Sequence, residues 1–190
     1  LALPFAVDED KWRHALQAVF DANPFLRAKI VESNRTWMEP FYQVIQRHAV
    51  ASLEVLDWRD RALTDEELQQ ALEILVLPTW TVLGGPLTRH FLVRLTGQLN
   101  IAVVAAHHSM FDGVSKRQFF QQLLDAYADK PIAATPVSIL KKWVQQRSDA
   151  TDSRAVIDFW RDALSQSEPL GNRAAQPGAA VVDHWELAAD

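Results

Sequence analysis

The stretch Leu99-Asn100-Ile101-Ala102-Val103-Val104-Ala105-Ala106-His107-His108-Ser109-Met110-Phe111-Asp112-Gly113-Val114-Ser115 decides how the rest of the chain is read. A run rich in Ile, Val and Ala stops at two adjacent histidines, and Asp112 and Gly113 follow shortly after. A short apolar run bounded by turn residues reads as a buried strand. Beyond the turn, Phe119, Phe120, Leu123, Leu124 and Tyr127 recur at helical spacing and give one face to bury. The pattern therefore predicts a strand, a loop and a helix, with the histidines where a rigid strand runs out into the loop. Catalytic residues are commonly carried on loops that a scaffold holds in place.

Adjacent residues on a strand point to opposite faces, so His107 and His108 are expected to diverge. One would reach a substrate while the other packs or hydrogen-bonds inside. Histidine is the natural proton acceptor near neutral pH. Asp112 is close enough to orient it, or to anchor the loop elsewhere. Gly113 either permits a positive φ or lets a ligand approach the main chain. Two structural histidines beside an ordinary Asp-Gly turn would explain a looser pattern. The full His-His-x-x-x-Asp-Gly arrangement at a strand-to-helix junction favours function.

Outward from this centre, Leu87 to Leu95 alternates, with Leu87, Phe91, Val93 and Leu95 on one side together with Arg89, and His90 and Arg94 on the other. Gly97-Gln98 turns it back into the core strand, and Gly84-Gly85-Pro86 reads as a turn without a phosphate-binding fingerprint. Upstream, Asp8 caps a helix over 8–22 whose Trp12, Ala15, Leu16, Val19 and Phe20 share a face, and Asn23-Pro24 closes it. Phe25 to Val31 and Trp37 to Ile45 read as strands around a polar turn, and Leu53 to Trp58 as another. Thr64-Asp65-Glu66-Glu67 is a capping box opening a helix over 64–76. Downstream, helical patterns cover 114–128, 137–146 and 152–164, then 165–180 reads as loop and Val181 to Leu187 as a possible strand. His14, His48 and His90 are isolated, in no metal-ligand spacing, and are expected at the surface or partly packed.

A chain of 190 residues can bury a substantial core. Its net charge of −5 and lack of a basic block give no support to nucleic acid or an anionic membrane as partner. No apolar run approaches the roughly 20 residues of a membrane span. The absence of cysteine excludes disulfides, thiolate metal sites and a cysteine nucleophile. Leu1-Ala2-Leu3-Pro4-Phe5 lacks both an initiator Met and the charged start of a signal peptide, which reads as a cut end and a cytoplasmic origin.

His107-His108-Ser109-Met110-Phe111-Asp112-Gly113-Val114-Ser115 resembles the core motif of the condensation domains of nonribosomal peptide synthetases, enzymes of secondary metabolism and antibiotic biosynthesis. That motif is shared with the wider superfamily of chloramphenicol acetyltransferase, wax-ester synthases and plant acyltransferases. Asn23-Pro24-Phe25-Leu26-Arg27 is similar to the family's second motif, with Arg27 as the matching, structural arginine. Asn23 stands where the family usually has His, and Ala28 where it has Thr. Trp143 matches an aromatic-rich segment that here lacks the usual Tyr and Asp. Phe159-Trp160-Arg161 with Leu164 resembles a helix of condensation domains that the wax-ester and plant enzymes do not share. The resemblance runs over about residues 5–165. Far more chain follows Gly113 than in chloramphenicol acetyltransferase, which fits a first lobe.

The resemblance implies an α/β (α+β) fold, a chloramphenicol-acetyltransferase-like lobe with a mixed β-sheet and packed helices. Residues 1–168 would form the N-terminal lobe of a condensation domain. Residues 169–190 would be a linker and possible first strand of a C-terminal lobe missing from this chain. It implies peptide-bond formation between a carrier-bound thioester donor and a carrier-bound amine. His108 would be catalytic, orienting the amine or taking its proton, with His107 as the inward, structural histidine. Asp112 would hold the loop through an ion pair, and Gly113 would leave room for the pantetheine arm. No cofactor or metal is implied; phosphopantetheine arrives on peptidyl or acyl carrier domains. Acyl-CoA-dependent O-acyl transfer of the wax-ester type and a non-catalytic carrier-docking half domain are the competing readings.

Overall fold

A computed structural model describes residues 1–33, 41–77, 81–151 and 154–165. It divides into two compact units, whose described residues run 1–134 and 135–165. In the first, a four-stranded sheet has the order β1 (Ala2–Leu3), β6 (Asn100–Ala106), β5 (Thr88–Arg94), β4 (Glu54–Asp57). Strands β5 and β6 pair antiparallel along their full length, from Thr88 opposite Ala106 to Arg94 opposite Asn100. Strand β1 pairs antiparallel with β6, and β4 runs parallel to β5. That parallel step needs a crossover, which α2 (Asp65–Val76) provides. A separate antiparallel pair joins β2 (Ala28–Glu32) to β3 (Phe41–Ile45).

The alternation along β5 and β6 sorts side chains onto two faces. Leu92 and Ala102 pack with Trp12, Leu16, Val19 and Phe20 of α1 (Glu9–Ala22) and with Phe119 and Leu123 of α3 (Gly113–Tyr127). Val93 and Leu95 turn the other way, onto Trp58 and the apolar stripe of α2, Leu68, Ala71, Leu72 and Leu75. Burying such a side chain fully contributes roughly 1.5–3 kcal/mol, so these layers carry the unit. The expected caps are present: Asp8 accepts from Lys11 N–H at 3.0 Å, and Thr64 and Glu67 form the reciprocal capping box. Gly84 and Gly97 both take positive φ in the turns that flank β5. A Cβ at Gly85 would lie 2.2 Å from the Thr81 carbonyl oxygen, so only glycine fits that turn. The second unit holds α4 (Val137–Thr151) and α5 (Arg154–Ala163).

Two expectations change. Residues 25–27 are not strand: Pro24–Arg27 forms a 3-10 turn closed by Leu26 N–H onto the Asn23 carbonyl at 3.0 Å, and β2 starts at Ala28. Proline fixes φ near the helical value and starts such a turn, and alternation alone does not register it. The strand expected over 37–45 is β3 at Phe41–Ile45, its first part lying outside the described residues. The expected strand at 181–187 and helix start at 152–153 also lie outside them.

His90 is the second correction, because it is buried, only 5% exposed, rather than at the surface. It lies against Phe119 (5.7 Å between ring centres, stacked) and edge-on to Phe20 (5.2 Å). Nδ1 sits 3.1 Å from the Ser52 carbonyl, which can only accept, so Nδ1 carries the proton. Nε2 is buried with no hydrogen-bond partner among the described residues. Desolvation pushes this imidazole down to about 4. An unfolded histidine titrates near 6.5, so below that pH the unfolded chain binds a proton that the native chain refuses. Stability from this group is complete above pH 6.5 and falls as the pH drops toward 4, the loss reaching on the order of 3 kcal/mol. Urea unfolding from pH 7.5 to 4 should show His90→Phe losing much less stability than wild type over this range; identical losses would refute it.

Candidate active site

Strand β6 ends at Ala106 and α3 begins at Gly113, so the motif forms the loop between them. The loop is pinned at several points. His107 N–H donates to the Leu87 carbonyl at 2.9 Å, extending the β5–β6 ladder by one bond, and Met110 N–H closes a turn onto the His107 carbonyl at 2.9 Å. Phe111 sets its ring edge-on to Phe119, 5.5 Å between centres, anchoring the loop to the core face of α3. At the far end Asp112 accepts from Ser115 N–H and from Ser115 Oγ–H, both at 2.7 Å, capping α3.

Because the strand stops at Ala106, alternation no longer governs the two histidines; the turn does. His107 is half-buried and His108 is exposed. Ser109 N–H donates to His107 Nδ1 at 3.2 Å, and Ser109 Oγ lies 2.8 Å from the same nitrogen. A ring nitrogen that accepts carries no hydrogen, so the neutral His107 ring holds its proton on Nε2. The His108 ring makes no hydrogen bond among the described residues and stands open to an incoming group.

Asp112 departs from expectation. Among the described residues it makes no ion pair, since the helix cap satisfies its carboxylate at the exposed end of α3. The two Ser115 bonds hold its carboxyl below the usual carboxylate range, side-chain bond first. Gly113 does not take a positive φ, and a Cβ there would meet open space. Arg27 is buried and away from this loop's hydrogen bonds. Its guanidinium donates to the carbonyls of Phe20, Asp21 (2.9 Å) and Gln46 (3.2 Å), tying the end of α1 to the residue after β3.

The sequence reading missed a cleft of about 270 Å³ beside the loop, walled by Asn23, Phe25, Leu26, Met110, Phe119 and Gln122. Ser115 and Gln118 complete it, while the histidines lie outside its lining. The signal was present: Ser115, Gln118 and Gln122 recur at i, i+3 and i+7, a polar stripe on a helix otherwise read for its apolar face. Among the described residues no three metal-ligating side chains come together, and no helix is long and apolar enough to cross a membrane.

Comparison with known proteins gives this geometry a context. The family model described as "Condensation domain" matches residues 1–184. A linear gramicidin synthase of Brevibacillus parabrevis is 29% identical over 189 residues, covering 94% of this chain and 4% of that protein. Among solved structures, the epimerization domain from the third module of tyrocidine synthetase B is similar with a TM-score of 0.71 at 19% identity, over 89% of this chain and 40% of its own. The first condensation domain of the calcium-dependent antibiotic synthetase, in complex with a substrate analogue, is similar with a TM-score of 0.68 at 15% identity, over 89% and 42%. Those two likenesses show the fold. The chain thus spans a small part of the synthetase it matches and some two-fifths of the solved domains. With the motif at the junction of β6 and α3 and the family model matched nearly end to end, the chain belongs to the condensation-domain family.

Proposed function

We propose that this chain supplies the histidine-bearing lobe of a domain that forms amide bonds between carrier-bound substrates in nonribosomal peptide synthesis. The observation that carries the proposal is an exposed His108 on a loop fixed at both ends, within a chain that matches the condensation family. The amine of the acceptor attacks the donor's thioester carbonyl, a C–N bond forms, and the tetrahedral oxyanion collapses with cleavage of the C–S bond. His108 orients the amine or takes the proton it sheds, and that proton then neutralises the departing thiolate. His107, with Nδ1 held by Ser109, shapes the turn that presents His108. Asp112 keeps the loop at the start of α3, Gly113 leaves room for a pantetheine arm, and Arg27 has a structural role.

In this proposal residues 1–168 are the first lobe, and 169–190 lead into a second lobe that completes the cleft. Peptidyl or acyl carrier domains bring donor and acceptor, in the cytoplasm, with the phosphopantetheine attached to them. The coverage of some two-fifths of the solved relatives supports the two-lobe reading.

In a complete domain carrying this lobe, His108→Ala should lower amide formation between two loaded carriers by about 10²–10⁴-fold with folding intact. Wild-type turnover by that variant would remove His108 from the chemistry. Asp112→Ala should lower the melting temperature and fray the first turn of α3, whereas Asp112→Asn, also a good cap, should restore most of the loss. Equal stability of all three forms would show that the cap is unimportant. The 190-residue chain assayed alone with both loaded carriers should be inactive. One lobe offers one wall, and positioning contributes about 7–11 kcal/mol to such reactions. Robust amide formation by a proven monomer would overturn the two-lobe reading.

A further inference from the structure

The cleft beside the motif loop is built around an amide pair whose orientation follows from its partners. One side-chain atom of Asn23 lies 2.8 Å from the Val19 carbonyl oxygen. A carbonyl only accepts, so that atom is Nδ2. The same nitrogen lies 2.6 Å from an atom of Gln122, which must accept and is therefore Oε1. Both N–H groups of Asn23 are engaged, and its Oδ1 is left as an acceptor. Gln122 Nε2 is left as a donor. Neither atom has a protein partner among the described residues, both side chains are half-buried, and both line the cleft.

An acceptor on one wall residue and a donor on another suit an amide, which offers both an N–H and a C=O, pointing to opposite sides. Phe25, Leu26, Met110 and Phe119 supply apolar walls, Ser115 and Gln118 add uncharged polar ones, and no lining residue is charged. An ion entering this space would lose its hydration without a counter-charge, whereas an uncharged amide carrying an alkyl group satisfies both polar atoms and covers the apolar ones. The geometry points to a recognition subsite for an uncharged, alkyl-bearing amide, read by Asn23 Oδ1 and Gln122 Nε2. Met110 belongs to the motif loop and Ser115 to the first turn of α3, and both line the cleft, so an amide held here sits against the loop that carries His108. Assigning that amide to the substrate rests on the condensation reading above; the binding itself does not. Two sources carry this chemistry, the peptide unit of an aminoacyl chain and the amides of a pantetheine arm.

The test is a titration of the full 190-residue chain, ¹⁵N-labelled, with N-isobutylacetamide and its ester counterpart isobutyl acetate, following the side-chain amide resonances of Asn23 and Gln122. The amide should saturate and shift both resonances, and the ester, which has no N–H to donate to Asn23, should bind at least about tenfold more weakly. Gln122→Glu keeps the acceptor for Asn23 and removes the donor, and should weaken amide binding by about tenfold or more with the fold unchanged; Gln122→Met, uncharged, should do the same. Equal binding of amide and ester, no saturation, or unaltered affinity in both variants would overturn the inference. Pantetheine and N-acetyl-leucinamide are the further arms, and the tighter of the two names the source. If the amide fails to bind while His108→Ala still abolishes condensation in the complete domain, only this inference falls. If the amide binds while His108→Ala remains fully active, the subsite stands and the condensation reading falls.

Discussion

The antiparallel ladder between β5 and β6 is the constraint on which the rest of the lobe depends. Its register runs unbroken from Arg94 opposite Asn100 to Thr88 opposite Ala106, and one further bond from His107 N–H to the Leu87 carbonyl carries it to the edge of the motif. A slip of one residue would exchange the two faces of the strand that moved. A slipped β5 would take Leu92 from α1 and α3 and Val93 from α2, and His107 would lose its tether to Leu87. The tight Gly97 turn and two buried faces make that slip prohibitive. The position of the motif loop is thus set by core packing on both sides of the sheet, with little contribution from the loop's own polar bonds.

What those polar bonds do is shape the loop once it has been placed. Ser109 engages His107, Ser115 engages Asp112, and Phe111 packs on Phe119. His108 is left as the exposed member of the pair. Groups that cap or turn are satisfied locally, and the ring proposed to meet substrate keeps its nitrogens available. The same α3 serves two surfaces, with Phe119 and Leu123 buried in the core and Ser115, Gln118 and Gln122 facing the adjacent cleft.

His90 shows a cost carried inside this arrangement. Placed between Phe20 and Phe119 with one nitrogen bonded to the Ser52 carbonyl, it is kept neutral by burial. The ring joins α1, β5 and α3 through contacts that an aliphatic side chain would not reproduce, and its Nε2, without a partner among the described residues, is a buried polar atom of the kind that folding normally avoids. The second unit presents a different balance. Ile157, Phe159, Trp160 and Leu164 are all exposed, and α5 carries apolar side chains at helical spacing with no buried residue.

The sequence alone determined those features that depend on local periodicity and short-range chemistry. The strand ending at the histidines, the helix that follows, the caps at Asp8 and Thr64, and the opposite facing of Val93 and His90 are each written within a few neighbouring residues. The resemblance carried by His107 to Ser115 and by Phe159-Trp160-Arg161 reached the family for the same reason, since both are contiguous patterns. The tertiary structure decided what depends on residues far apart. Pro24–Arg27 became a 3-10 turn because it must bring Arg27 under the carbonyls of Phe20 and Asp21. Whether Asp112 meets a distant cation was likewise a tertiary matter: among the described residues it meets none, and its neighbour Ser115 caps it instead. The amide pair of Asn23 and Gln122 joins positions 99 residues apart, and His90 is buried by two helices that no local pattern places against it. Hydrogen bonds and burial are set by distance in space, and a periodicity confined to neighbours has no access to it.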